Sequence, residues 1–108
     1  LSSRRQRQMC IRDSIDCLPD RIVVEVPAKI NNQGIHGITL ENYPKGFGNL
    51  LNSQVGVIQL TTEAILSKSK HFAYLALLAD PVVDNAIAAE KLLDNIIEKQ
   101  SEFLGYLN

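Results

Sequence analysis

The sequence predicts an α+β fold in which an antiparallel β-hairpin is followed by helices. Three observations carry this prediction. Residues 22–40, IVVEVPAKINNQGIHGITL, alternate apolar and polar side chains on either side of an Asn-Asn-Gln-Gly cluster. Beyond a loop holding a proline and two glycines, apolar residues recur at helical spacing over 47–66. The same spacing returns over 71–79 and again from 82 to about 104.

In the first strand Val24, Val26, Ala28 and Ile30 share one face, and Glu25, Pro27 and Lys29 the other. Pro27 cannot donate a ladder hydrogen bond, which predicts a sheet edge or a bulge at that strand. In the turn, Gly34 or a neighbouring Asn supplies the positive φ. The second strand places His36, Ile38 and Leu40 on one side and Ile35, Gly37 and Thr39 on the other. Residues 15–21, IDCLPDR, form the approach, with Pro19-Asp20 as the turn signal.

The loop ENYPKGFG (41–48) leads into a helix with Phe47, Leu50, Leu51, Val55, Ile58, Thr62, Ile65 and Leu66 on its apolar face. Val57, Leu60 and Ala64 widen that face. This is therefore expected to be the most buried helix, covered on more than one side. Gly56 within it costs roughly 1 kcal/mol relative to Ala, which predicts close approach by another element. After a polar break at 67–70, HFAYLALLA (71–79) forms a second helix that ends before Pro81. Asp80 is expected to cap the last helical segment, 82–104, with Pro81 at its first position. Ile87, Leu92, Leu93, Ile96, Ile97, Phe103 and Leu104 form its stripe, and Glu90, Lys91, Asp94, Glu98 and Lys99 face outward.

Composition narrows the function classes. The chain has 108 residues, 45% of them apolar, which suits one globular domain at most. No apolar run approaches the length of a membrane span, and the Arg-rich start does not read as a secretory signal. Cys10 and Cys17 are too few for a disulfide framework and lack zinc-ligand spacing, so a cytoplasmic setting is expected. Arg4, Arg5, Arg7 and Arg12 stand against Asp13 in residues 1–14, a net +3, while the remainder carries −4. That acidic body offers no general attraction for nucleic acid.

Residues 1–14, LSSRRQRQMCIRDS, have no helical or strand period. A basic arm gripping phosphates and a disordered terminus are both open readings. The run RQRQMCIRDS resembles translated sequencing-adapter DNA. The segment is accordingly expected to be a non-native, disordered tail, with the domain proper at 15–108.

No glycine-rich nucleotide loop, P-loop, HExxH or CxxC motif is present. His36 and His71 lack a Cys or carboxylate at ligand spacing. Each is expected to be partly exposed or hydrogen-bonded rather than a metal ligand. Glu25 sits mid-strand between valines, where it needs either a partner or a wet face. Tyr43, Tyr74 and Tyr106 are scattered and suggest no stacking platform. Cys17 lacks the His and orienting group of an activated nucleophile. The residues themselves thus indicate no catalytic, cofactor-binding or metal site.

An ordered set of short motifs does carry a resemblance. VEVP at 24–27, NQGIH at 32–36, LN at 51–52, QLTTEA at 59–64 and LLADP at 77–81 follow one another as in the C-terminal region of glycoside hydrolase family 4. The match spans roughly 17–104 and is most like the α-galactosidase and α-glucosidase branch. The resemblance implies part of the C-terminal catalytic domain of a lactate/malate dehydrogenase-like fold. It also implies a glycoside substrate, NAD and Mn2+ as cofactors, and a homo-oligomer. The chemistry it implies is oxidation, elimination, addition and reduction rather than displacement by a carboxylate pair. The family's nucleotide loop, metal-binding Cys and His, and base fall in parts that this chain does not match, so no site residue is carried over. The expectation is a fragment, inactive alone, that leans on the missing N-terminal part of the same chain and leaves apolar faces exposed over 47–66. Two alternatives remain: a small helical interaction module, and the equivalent region of a 2-hydroxy-acid dehydrogenase.

Overall fold

The computed structural model describes residues 6–10, 15–19 and 22–107. The chain divides into two compact units, Leu1–Asn52 and Ser53–Asn108, and the division falls inside helix α1 (Lys45–Ser67).

The first unit holds a three-stranded antiparallel sheet, ordered β1 (Gln6–Cys10), β2 (Val24–Asn31), β3 (Gly34–Gly37). The expected hairpin is β2–β3, in register Lys29↔His36 and Asn31↔Gly34. Its turn is closed by the Asn31 side chain, which accepts from the Gln33 N–H at 2.8 Å. Gly34, at φ +119°, supplies the left-handed residue, and neither Asn32 nor Gln33 has a positive φ. The predicted alternation appears in the burial up to Ala28: Val26 is 1% exposed, Val24 and Ala28 are half-buried, and Glu25, Pro27 and Lys29 are exposed, but Ile30, expected on the buried face, is exposed next to the turn. Ile15 is buried and bridges in parallel to Leu40.

Two expectations are corrected here. Residues 1–14 were expected to form a disordered tail, yet Gln6–Cys10 pair with β2 from Gln6↔Ala28 to Cys10↔Val24. A strand at that edge satisfies backbone groups of β2 that would otherwise stay unpaired. Residues 1–5 and 11–14 lie outside the described residues. The second correction concerns Pro27, which stands in the central strand rather than at an edge.

Antiparallel geometry explains how the central strand tolerates it. Along β2, alternate residues direct both backbone groups to the same neighbour. Pro27 faces β3, and its carbonyl accepts from the Ile38 N–H at 2.8 Å. It cannot return the bond, and β3 stops at Gly37, one residue short of that pair. The groups that face β1 belong to the residues on either side, so the proline deprives β1 of nothing. The second strand, expected to run on to Leu40, is thereby cut to four residues.

In the second unit, α1 ends with Lys68 in the left-handed region at φ 55°. The Lys68 and Ser69 amides bond back to the Ile65 and Ala64 carbonyls, at 3.4 and 3.0 Å. That is the Schellman arrangement, with lysine where glycine is usual. Ser69 then caps α2 (Lys70–Ala79) by accepting from the Phe72 N–H. As expected, α2 stops before Pro81.

The third helical segment differs from its prediction. Asp80 is the C-cap of α2, its N–H donating to the Leu77 carbonyl, and does not cap the segment that follows; its carboxylate accepts from the Val82 N–H at 3.1 Å in a turn over Pro81-Val82. The cap is Asn85, whose side chain accepts from the Ala88 N–H at 2.9 Å, and α3 runs Ala86–Lys99. Asn85 caps because it stands immediately before Ala86, where its side-chain oxygen reaches the Ala88 amide, whereas Asp80 lies six positions before the helix begins. After Gln100 a short α4 (Ser101–Leu104) ends the regular structure. The segment 82–104 is therefore a turn and two helices, not one helix.

Helix α1 is not the most buried helix. Gly48, Val55 and Ala64 are buried along it, but Leu50 and Leu66 are 65% and 75% exposed, and Phe47, Ile58 and Ile65 are exposed as well. This 23-residue helix, apolar on more than one side, carries more apolar surface than the described residues cover. Apolar side chains are thus exposed over 47–66, as the sequence reading expected. Gly56 likewise has nothing within 4 Å of the place its Cβ would occupy, so the close approach expected there is absent among the described residues.

Candidate functional site

Small side chains on α1 and α2 open a concavity in the second unit. Ala64 on α1 and Ala73 and Ala76 on α2 leave room that Leu93 and Ile96 of α3 only partly fill. The result is an apolar groove of about 440 Å³, with Leu104, Tyr106 and Leu107 along its C-terminal side. Its polar groups are largely committed. The Thr61 hydroxyl donates to the Val57 carbonyl at 2.8 Å, and Asp80 holds its turn. A surface of this kind excludes water from an apolar partner; it offers no activated nucleophile or acid–base pair.

The polar residues singled out from the sequence do not converge. His36 and Glu25 are exposed on the sheet of the first unit, and His71 is exposed at the start of α2. His71 lies beside Phe72, ring centroids 6.2 Å apart, and shares a shallow hollow with Lys70, Tyr74 and Glu90. Lys70 pairs with Asp94 of α3 at 2.5 Å, and the Tyr74 hydroxyl donates to the Ala86 carbonyl at 3.4 Å. These contacts tie α2 to α3. Cys17 is half-buried against Gly48, a packing role rather than a chemical one. Among the described residues no three His, Cys, Asp or Glu side chains are grouped to hold a metal ion. No helix of the described residues is long and apolar enough to cross a membrane.

Sequence reasoning did not foresee the groove. The available signal was the run of alanines at 64, 73 and 76, small residues on faces otherwise filled by leucine and isoleucine.

Residues 10–83 match the model of the family 4 glycosyl hydrolase C-terminal domain. The chain belongs to glycosyl hydrolase family 4. It is 42% identical over 96 residues to an α-glucosidase of Erwinia rhapontici, covering 89% of this chain and 21% of that protein. It is 33% identical over 81 residues to a maltose-6'-phosphate glucosidase of Bacillus subtilis, covering 75% and 18%. The fold matches the crystal structure of a 6-phospho-α-glucosidase from gut microorganisms in complex with NAD and glucose-6-phosphate. That match has a TM-score of 0.80 at 26% identity, over 97% of this chain and 24% of the other. The chain thus spans about a fifth of the length of the curated relatives it matches.

The family 4 assignment bears out the hairpin-then-helices resemblance. It does not make the described residues a cofactor site. Gly46 and Gly48, the next glycines after β3, lie within the first turn of α1 rather than in a loop before it, and no ligand cluster is present among the described residues. The described residues do not fit NAD or Mn2+.

Proposed function

We propose that this chain is the buttressing C-terminal portion of a glycosidase that hydrolyses O-glycosidic bonds and does not turn over substrate by itself. In this reading residues 15–108 belong to the catalytic domain of a longer, cytoplasmic, homo-oligomeric enzyme. That enzyme uses NAD and a divalent metal, both held outside this chain, and follows the oxidation–elimination–addition–reduction route that the family resemblance implies. One observation carries the proposal: the chain matches a family 4 C-terminal domain yet covers only 21% of an α-glucosidase to which it is 42% identical. The bare apolar face of α1 and the groove beside it support the same reading, since both are surfaces suited to burial. The NAD named for the solved 6-phospho-α-glucosidase supports the cofactor.

The test is a chimera. The matching region of the Erwinia rhapontici α-glucosidase is replaced by this chain, and hydrolysis of a chromogenic α-glucoside is followed with and without added NAD and Mn2+. The expected result is activity in the chimera that depends on NAD, and none in the 108-residue chain alone. Turnover by the isolated chain, or a folded chimera that binds NAD but cannot cleave, would overturn the proposal.

A further inference from the structure

We draw no further inference here: the strongest candidate, the apolar groove of the second unit between the C-terminal half of α1, α2, α3 and the C-terminal turn, carries nothing beyond the buttressing surface already proposed, because nothing in the structure shows what covers it.

Discussion

Cys17 and Gly48 are packed so closely that a Cβ on Gly48 would collide with the Cys17 sulfur. Gly48 lies in the first turn of α1, its amide bonded to the Pro44 carbonyl at 3.0 Å, and it is buried. Its lack of a side chain lets the segment carrying Cys17 lie against the helix. Gly48→Ala gains up to about 1 kcal/mol in helix propensity but overpacks the contact at a cost of about 1–3 kcal/mol. The expected outcome in urea unfolding is net destabilisation. Cys17→Ala should relieve most of it, leaving only the 3.1 Å approach of the Cys17 Cβ. Additive losses in the double variant would contradict the contact.

Pro27 predicts an asymmetry between neighbouring positions. Pro27→Thr supplies an amide aimed at β3, opposite Ile38, and should extend the ladder by one bond. Net stability should change by no more than about 1 kcal/mol, because the new hydrogen bond is offset by a less restricted unfolded chain. Ala28→Pro removes an amide that faces β1 and should cost at least about 2 kcal/mol. Amide exchange at position 27 is the direct measurement, and rapid exchange there would count against the ladder geometry.

Gly56 and Lys68 both make α1 less stable than it could be. Gly56→Ala meets nothing within 4 Å in this chain and should stabilise it by roughly 0.5–1 kcal/mol. In the chimera the same change should be neutral or harmful if the rest of the enzyme approaches there. Lys68→Gly removes the steric cost of a left-handed lysine and should raise stability by about 1 kcal/mol in both. Thermal melts of the two variants in the two contexts separate these effects.

Capping should matter more than the surface ion pair. Asn85→Ala strips the Ala88 amide of its partner and should cost about 1 kcal/mol. Asp94→Asn breaks the pair with Lys70, both side chains well exposed, and should cost less than about 1 kcal/mol, diminishing further as salt is added. An Asp94→Asn loss that exceeds the Asn85→Ala loss and resists salt would show that the pair is not screened.

The exposed face of α1 separates the buttress reading from a free-standing module. Ile58→Lys and Ile65→Lys place charges on side chains that are 54% and 55% exposed, so the isolated chain should lose little stability and self-associate less. In the chimera the same changes should lower the yield of soluble enzyme, because the charges would be forced into an apolar contact. Size-exclusion chromatography reads the first outcome, and recovered activity reads the second. A chimera indifferent to both charges would remove α1 from the buried interior.

Much of this architecture was legible in local chemistry. Period-2 alternation around Val26, the turn over 31–34 and the helical recurrence from Phe47 to Leu66 are properties of neighbouring residues, and each formed where the sequence placed it. The stop before Pro81 is equally local. The candidate site was not legible in the same way, because its groove arises from which alanines of different helices come to face each other.

The sequence by itself determined the hairpin, the first two helices and the family to which the chain belongs, since all three rest on the order and spacing of residues along the backbone. Only the tertiary structure decided that Pro27 lies mid-sheet, that Gln6–Cys10 pair with β2, and that Gly48, Val55 and Ala64 are the positions α1 buries. Those outcomes depend on which distant backbone groups find partners and on how much neighbouring surface is available, and neither is encoded in local periodicity.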